Sequence, residues 1–184
     1  MNTKIDELDI AQSANLTDIA MCINHYRLST PGMHVCIHVP VQINKRTRVI
    51  PGIIAQVGSG KFNQCNPVEY DYFLGAPNFI FDVFREKQRD AYESRRELYE
   101  QSGVIEYVVW FNSSKLPIWN RLVDGKYREI EEDESELIKS SALPGLWIPL
   151  KSWAERDMWS IMAKISHGIT RRGHRDFMGT IWRD

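Results

Sequence analysis

The run Asn78-Phe-Ile-Phe-Asp-Val-Phe84 and, after it, Gly103-Val-Ile-Glu-Tyr-Val-Val-Trp-Phe111 decide the fold. The first is apolar on both faces apart from Asp82, and the second is nearly continuous in apolar residues, as in central strands covered on both sides. Between them, residues 85–102 are rich in Glu, Lys, Arg and Gln. Ala91, Tyr92, Leu98 and Tyr99 form an apolar stripe there and Gly103 follows at the C′ position, which together signal a helix. Strand, helix and strand in that order predict two parallel neighbours joined by a right-handed crossover. One acid inside such a covered strand needs an explanation, so Asp82 is the first candidate for chemistry.

On the N-terminal side, residues 15–28 place Ile19, Ala20, Ile23 and Tyr26 at helical spacing, with Asn15 or Thr17 available as N-cap. Residues 34–43 then alternate strictly, with Val35, Ile37, Val39, Val41 and Ile43 on one face, and read as one half-buried strand whose Pro40 suggests a sheet edge. Residues 49–57 read as a second strand ended by Gly58-Ser59-Gly60, and residues 61–75 as a long loop. On the C-terminal side, Asp124-Gly125 between two strand-like runs is a hairpin signal. Short strands are expected near residues 137–140 and 146–150. Ser152-Trp-Ala-Glu155 has the form of a capping box opening a helix with Trp153, Met158, Trp159, Met162 and Ile165 inward, closed by Gly168.

The 184 residues, 43% hydrophobic and 26% charged, suit one domain, residues 1–184, with a core over about 16–150 and a C-terminal helix and basic tail over 151–184. A net charge of -1 gives no global attraction to nucleic acid, so any such contact must be a local patch. Cys22, Cys36 and Cys65 form no CxxC pair and indicate neither a disulfide framework nor a zinc ribbon. The start lacks the pattern of a signal peptide and no run approaches the roughly 18 apolar residues of a membrane span, so a cytoplasmic protein is expected. His34, Cys36 and His38 share a strand face, but residues four apart on a strand are separated by roughly 13 Å, too far for His34 and His38 to hold one ion.

The order of these pieces resembles the Uma-type family of restriction endonucleases within the PD-(D/E)xK superfamily. The resemblance rests on Pro51-Gly52, on Gly75-Ala-Pro-Asn-Phe-Ile-Phe-Asp-Val83, on Leu98 to Tyr107 with its Gly103-Val104 and Glu106-Tyr107, and on Leu143-Pro-Gly-Leu146. It implies an α/β fold with a mixed central β-sheet flanked by helices, a restriction-endonuclease-like core. It also implies phosphodiester hydrolysis with Mg²⁺ held by carboxylates and a nearby Lys. Carried over residue by residue, the family's first metal-binding Asp falls on Gly52, the central acid on Asp82, the Lys on Arg95, and a second Pro-Asp on Pro77-Asn78. Asp82 is thus the one metal ligand retained, and Arg95 can clamp a phosphate but cannot act as a base.

For Asp82 two readings stand side by side, a residual metal ligand and a structural acid paired with Arg95. Glu69, Asp71 or Glu86 would have to rebuild a second ligand. The tail offers Arg171, Arg172, Arg175 and Arg183 with Phe177 and Trp182 as a candidate nucleic-acid contact, against a solvated or oligomer-contacting tail. The resulting expectation is an endonuclease-like protein with a degenerate active site, acting as a binding or interaction module with DNA as partner and a homodimer as assembly. The alternatives are an active Mg²⁺-dependent endonuclease and a structural subunit of a larger assembly.

Overall fold

The computed structural model describes residues 8–181. Helix α1 (Ile10–Leu28) begins earlier than residue 15. Asp9 caps it, accepting from the Gln12 amide while the Gln12 side chain accepts from the Asp9 amide, a reciprocal pair that satisfies two of the free donors at the helix start.

The stretch 34–43 is two strands in two sheets. After β1 (Met33–Ile37) the chain turns at His38, whose φ is +50°, and Pro40, then resumes as β2 (Val41–Gln42). The unbroken alternation hid this because period-2 patterning continues across the turn. Likewise residues 49–57 divide into β3 (Arg48–Val49) and β4 (Ile53–Val57) around Pro51-Gly52. The expected loop at 61–75 holds a short 3-10 turn (Gly60–Phe62) and a hairpin of β5 (Cys65–Val68) and β6 (Tyr72–Gly75). Its turn places Glu69 and Tyr70 at positive φ without the Gly or Asn that would have announced it.

Strand β7 (Phe79–Phe84) leads through a 3-10 turn at Glu86–Gln88 into α2 (Arg89–Ser102). Gly103 ends that helix at φ +86°, and β8 (Glu106–Phe111) returns parallel to β7. The hairpin β9 (Ile118–Val123) and β10 (Lys126–Glu129) turns at Asp124-Gly125, both at positive φ. Then β11 (Ile138–Lys139) and β12 (Trp147–Ile148) pair with one another.

The helical C-terminal region departs from the capping-box reading. Helix α3 (Leu150–Ala154) stops before Arg156, which takes φ +57°, and α4 (Met158–Ile169) is capped by Asp157 through the Ser160 amide. The break rotates the second segment, so Trp153 is buried while Trp159 is 80% exposed rather than inward. Helix α5 (Arg172–Ile181) follows.

The main sheet has the order β1-β4-β7-β8-β9-β10, antiparallel except for β7 beside β8, and a smaller sheet has the order β3-β2-β6-β5. Alternation along the central strands divides the core. Ile53, Phe79, Phe81, Val108 and Trp110 pack on the face covered by α1, α3 and α4. On the other face Ile54, Ile80, Tyr107 and Val109 pack with Tyr92 and Tyr99 of α2 and Val41, Cys65 and Phe73 of the small sheet. Asp82 shares the second face, so a carboxylate is carried into a layer that would otherwise be apolar and aromatic. The observed architecture is the expected mixed sheet flanked by helices.

Candidate active site

Asp82 lies near the C-terminal end of β7 with 2% of its surface exposed. Because Ile53 is in register with Phe81, Gly52 stands beside Asp82, one step beyond the last paired residues of β4. The Gly52 amide donates to Asp82 Oδ1 at 2.6 Å. On the other oxygen, Oδ2, Arg95 Nη1 donates at 3.0 Å and the Tyr107 hydroxyl donates at 3.1 Å. Each donor comes from a different element: the entry to β4, helix α2 and strand β8.

This arrangement explains how the acid stays buried. An isolated carboxylate in an apolar layer would be costly, and here one cation and two neutral donors offset the loss of water. The effect is mutual. The Asp82 charge raises the Arg95 pKa, outweighing the burial that lowers it, so the guanidinium stays protonated. Burial first, and the Asp82 charge second, push the Tyr107 hydroxyl far above its ordinary value, which keeps it a donor. The Tyr99 hydroxyl, buried in the same layer, is pushed up by the same two causes in the same order.

Asp82 and Arg95 open onto a cleft of about 800 Å³. Leu8, Gln12 and Leu16 from α1 form one wall, and His38 with the β3 region around Arg48 forms another. Arg85, Lys87 and Gln88, after β7, complete it together with Ala91 of α2. Among the described residues that line the cleft, Asp82 is the single carboxylate, against Arg48, Arg85, Lys87 and Arg95.

That donor set does not fit a hard divalent cation. Mg²⁺ takes oxygen ligands at roughly 2.0–2.1 Å and usually one or two carboxylates free to accept it. Both Asp82 oxygens are already accepting, one of them from a cation. Among the described residues no three His, Cys, Asp or Glu side chains stand close enough to hold a metal. Of the acids considered as replacements, Asp71 pairs with Arg48 at 3.6 Å, Glu86 pairs with Arg89 at 2.7 Å, and neither these nor Glu69 lines the cleft. Asn78 immediately precedes β7. Its Oδ1 accepts from the Val57 amide at 2.9 Å and its Nδ2 donates to the Phe62 carbonyl at 2.8 Å, so it fastens the end of β4 to the 3-10 turn.

Arg171, Arg172 and Arg175 are exposed around the start of α5, outside the cleft lining. Arg171 contacts His167, Arg172 lies 3.3 Å from Asp176, and Arg175 donates to the Thr170 carbonyl at 2.8 Å. Phe177 is not a surface stacking platform but is buried against Val57. Trp182 and Arg183 lie outside the described residues. Sequence reasoning passed over Tyr107 and the Gly52 amide as site groups, although both fall inside the segments that carried the resemblance. The cleft cations Arg48, Arg85 and Lys87 share no local pattern that would have grouped them.

Glu106, the acid of β8, faces the opposite side of the sheet. With no exposed surface, it accepts from Arg121 at 2.8 Å, from the Ser141 amide at 2.9 Å and from the hydroxyls of Ser140 and Ser141. It is a structural joint between the main sheet and the segment after β11.

Comparisons with known proteins agree with this architecture. A solved structure from Anabaena variabilis ATCC 29413, described as "a putative nuclease belonging to DUF820", superposes with a TM-score of 0.61 at 12% identity, covering 84% of this chain and 89% of that one. At that identity the likeness is one of fold. No curated protein matches the chain. The model of the Uma2 family, described as "Putative restriction endonuclease", matches residues 9–151, and over that span, from the α1 cap to the start of α3, the chain belongs to the Uma2 family.

Proposed function

We propose that this member of a restriction-endonuclease family binds DNA without cutting it, its metal position having been given over to an internal ion pair. The observation that carries the reading is the Asp82 environment: Gly52 stands where a second carboxylate would be needed, and the Arg95 guanidinium takes the carboxylate that remains. A cation fixed 3.0 Å from Asp82 opposes the entry of a second, doubly charged one. What is left of the site is a cleft lined by Arg48, Arg85, Lys87 and Arg95, suited to phosphate by charge and by the bidentate geometry of guanidinium.

The test is incubation of purified protein and of Asp82→Ala with supercoiled plasmid in Mg²⁺ or Mn²⁺. Intact plasmid with both, together with salt-dependent retention of DNA by the wild type, is the expected result. Nicking by the wild type that is lost in the variant overturns the reading in favour of an active metal-dependent endonuclease.

Arg171, Arg172 and Arg175 belong to this proposal as a second, peripheral contact with the DNA backbone. Replacing them singly by Ala should lower the slope of log affinity against log salt by about one for each phosphate that the variant no longer neutralises. An unchanged slope removes the tail from the interface. We place the protein in the cytoplasm as a homodimer, the assembly being checked by sedimentation. Among the described residues no helix is long and apolar enough to cross a membrane.

A further inference from the structure

The geometry points to the cleft as a receptor for a phosphate monoester, carried by a mononucleotide or by the end of a single nucleic-acid strand. This rests on the DNA-binding reading above and narrows it to a ligand. Arg48 comes from β3, Arg85 and Lys87 from the joint between β7 and α2, and Arg95 from α2 itself, so cations from separate elements converge on one space. Arg48 pairs with Asp71 at 3.6 Å and Arg85 with Asp9 at 3.1 Å, and neither of these two acids lines the cleft. Asp82 faces its charge to Arg95.

Size selects among phosphates. A volume of about 800 Å³ falls within the roughly 300–1,000 Å³ of small-ligand sites. A duplex, a rod whose major groove alone is about 12 Å wide, can offer the cleft only the phosphates on its outside, whereas a nucleotide fits within that volume. Charge selects further: a phosphate monoester carries about -1.5 to -2 at neutral pH, more than the single charge of a backbone diester, and converging cations favour the larger charge.

Arg95 is the anchor of this receptor. Asp82 holds it from behind, while one third of its side chain is exposed at the cleft. Tyr107 and the Gly52 amide fix Asp82 in turn. The guanidinium is thereby oriented before the ligand arrives, which reduces the ordering cost of binding. The acid at the family's metal position here positions a phosphate-binding fork.

The experiment is fluorescence anisotropy of the full chain with a short labelled single strand bearing a terminal phosphate, the same strand with hydroxyl ends, and the matching duplex, with dAMP as competitor. We expect the terminal phosphate to tighten binding by about tenfold or more, dAMP to compete, and the duplex to bind more weakly than the phosphorylated strand. Lys87→Ala and Arg48→Ala, both at exposed positions where folding is not at stake, should each erase most of the gain. Arg95→Lys keeps the charge and loses the fork, and should fall between. Lys164→Ala, on the exposed face of α4, should leave the gain intact. Competition by dAMP without any preference between strand ends assigns the site to free nucleotides. Equal affinity for all strands with no competition by dAMP overturns the monoester receptor while leaving DNA binding in place. Absence of binding to every nucleic acid overturns the DNA-binding reading as well.

Discussion

Arg95 reaches from α2 to β7 and sets its Nη1 3.0 Å from Oδ2 of Asp82, so helix and sheet are joined by a charge pair one of whose members is almost wholly buried. Removing the acid leaves the guanidinium, the Tyr107 hydroxyl and the Gly52 amide without their acceptor. Breaking a buried pair from one side costs about 3–5 kcal/mol. Asp82→Ala should therefore lose that much unfolding free energy, read as a lower urea midpoint at unchanged slope, and Asp82→Leu, which fills the space, should recover little because Arg95 remains. A loss under about 1 kcal/mol in Asp82→Ala would mean that the pair does not hold the layers together.

Gly52 has no room for a side chain. A Cβ built there would lie 2.8 Å from the Phe81 carbonyl oxygen and 3.0 Å from Leu16 Cδ1. The first neighbour is backbone of β7 and cannot rotate away. Gly52→Ala should destabilise the fold by about 1–3 kcal/mol, the range of overpacking, and wild-type stability in thermal unfolding would show that β4 and β7 separate more easily than this contact allows.

Glu106 is the other buried acid of the central strands, and it accepts from four donors. Glu106→Gln keeps the shape but turns one acceptor into a donor facing other donors. About 3–5 kcal/mol should be lost, and Ser140→Ala about 1–3 kcal/mol. Hydrogen exchange of residues 140–146 gives a local reading: their amides should open first in both variants.

His174 gives the stability a pH dependence with a definite sign. Its ring is buried, Nε2 lies 3.0 Å from Thr30 Oγ1, and Tyr26 packs edge-on to it. Burial lowers its pKa from the ordinary 6.5. The unfolded chain therefore binds this proton more readily than the folded one, and stability contributed by the neutral ring is present above about pH 6.5 and lost as pH falls below it. Melting temperatures between pH 8 and pH 5 should drop in the wild type, and His174→Gln should show a flatter profile. Parallel profiles would assign the acid sensitivity elsewhere.

The parts of the molecule that were legible are those with one dominant local pattern. β7, α2 and β8 were readable because doubly covered strands and an amphipathic helix have distinct compositions, and Gly103 marked the junction. Asp124-Gly125 announced its hairpin in the same way. The small sheet was not readable: β5 contains Asn66 and Pro67, its turn residues Glu69 and Tyr70 carry no turn signal, and β2 was hidden inside an alternation that ran through the His38 bend. Asp82 stood out as the one acid of an apolar run, whereas Arg95 came from a family likeness rather than from spacing. Tyr107 and Gly52, 25 and 30 residues from Asp82 in the chain, meet it only because β8 and β4 flank β7.

The crowding at Gly52 also bears on how this protein can evolve. Glycine and aspartate codons can differ by one base, so an aspartate at this position is a short genetic step away. Sterically the step is costly, because a Cβ there would lie 2.8 Å from the Phe81 carbonyl oxygen, and Arg95 already neutralises the neighbouring acid. An aspartate here would therefore need β4 to shift against β7 as well, so the single codon change carries a structural cost that the codon table does not show.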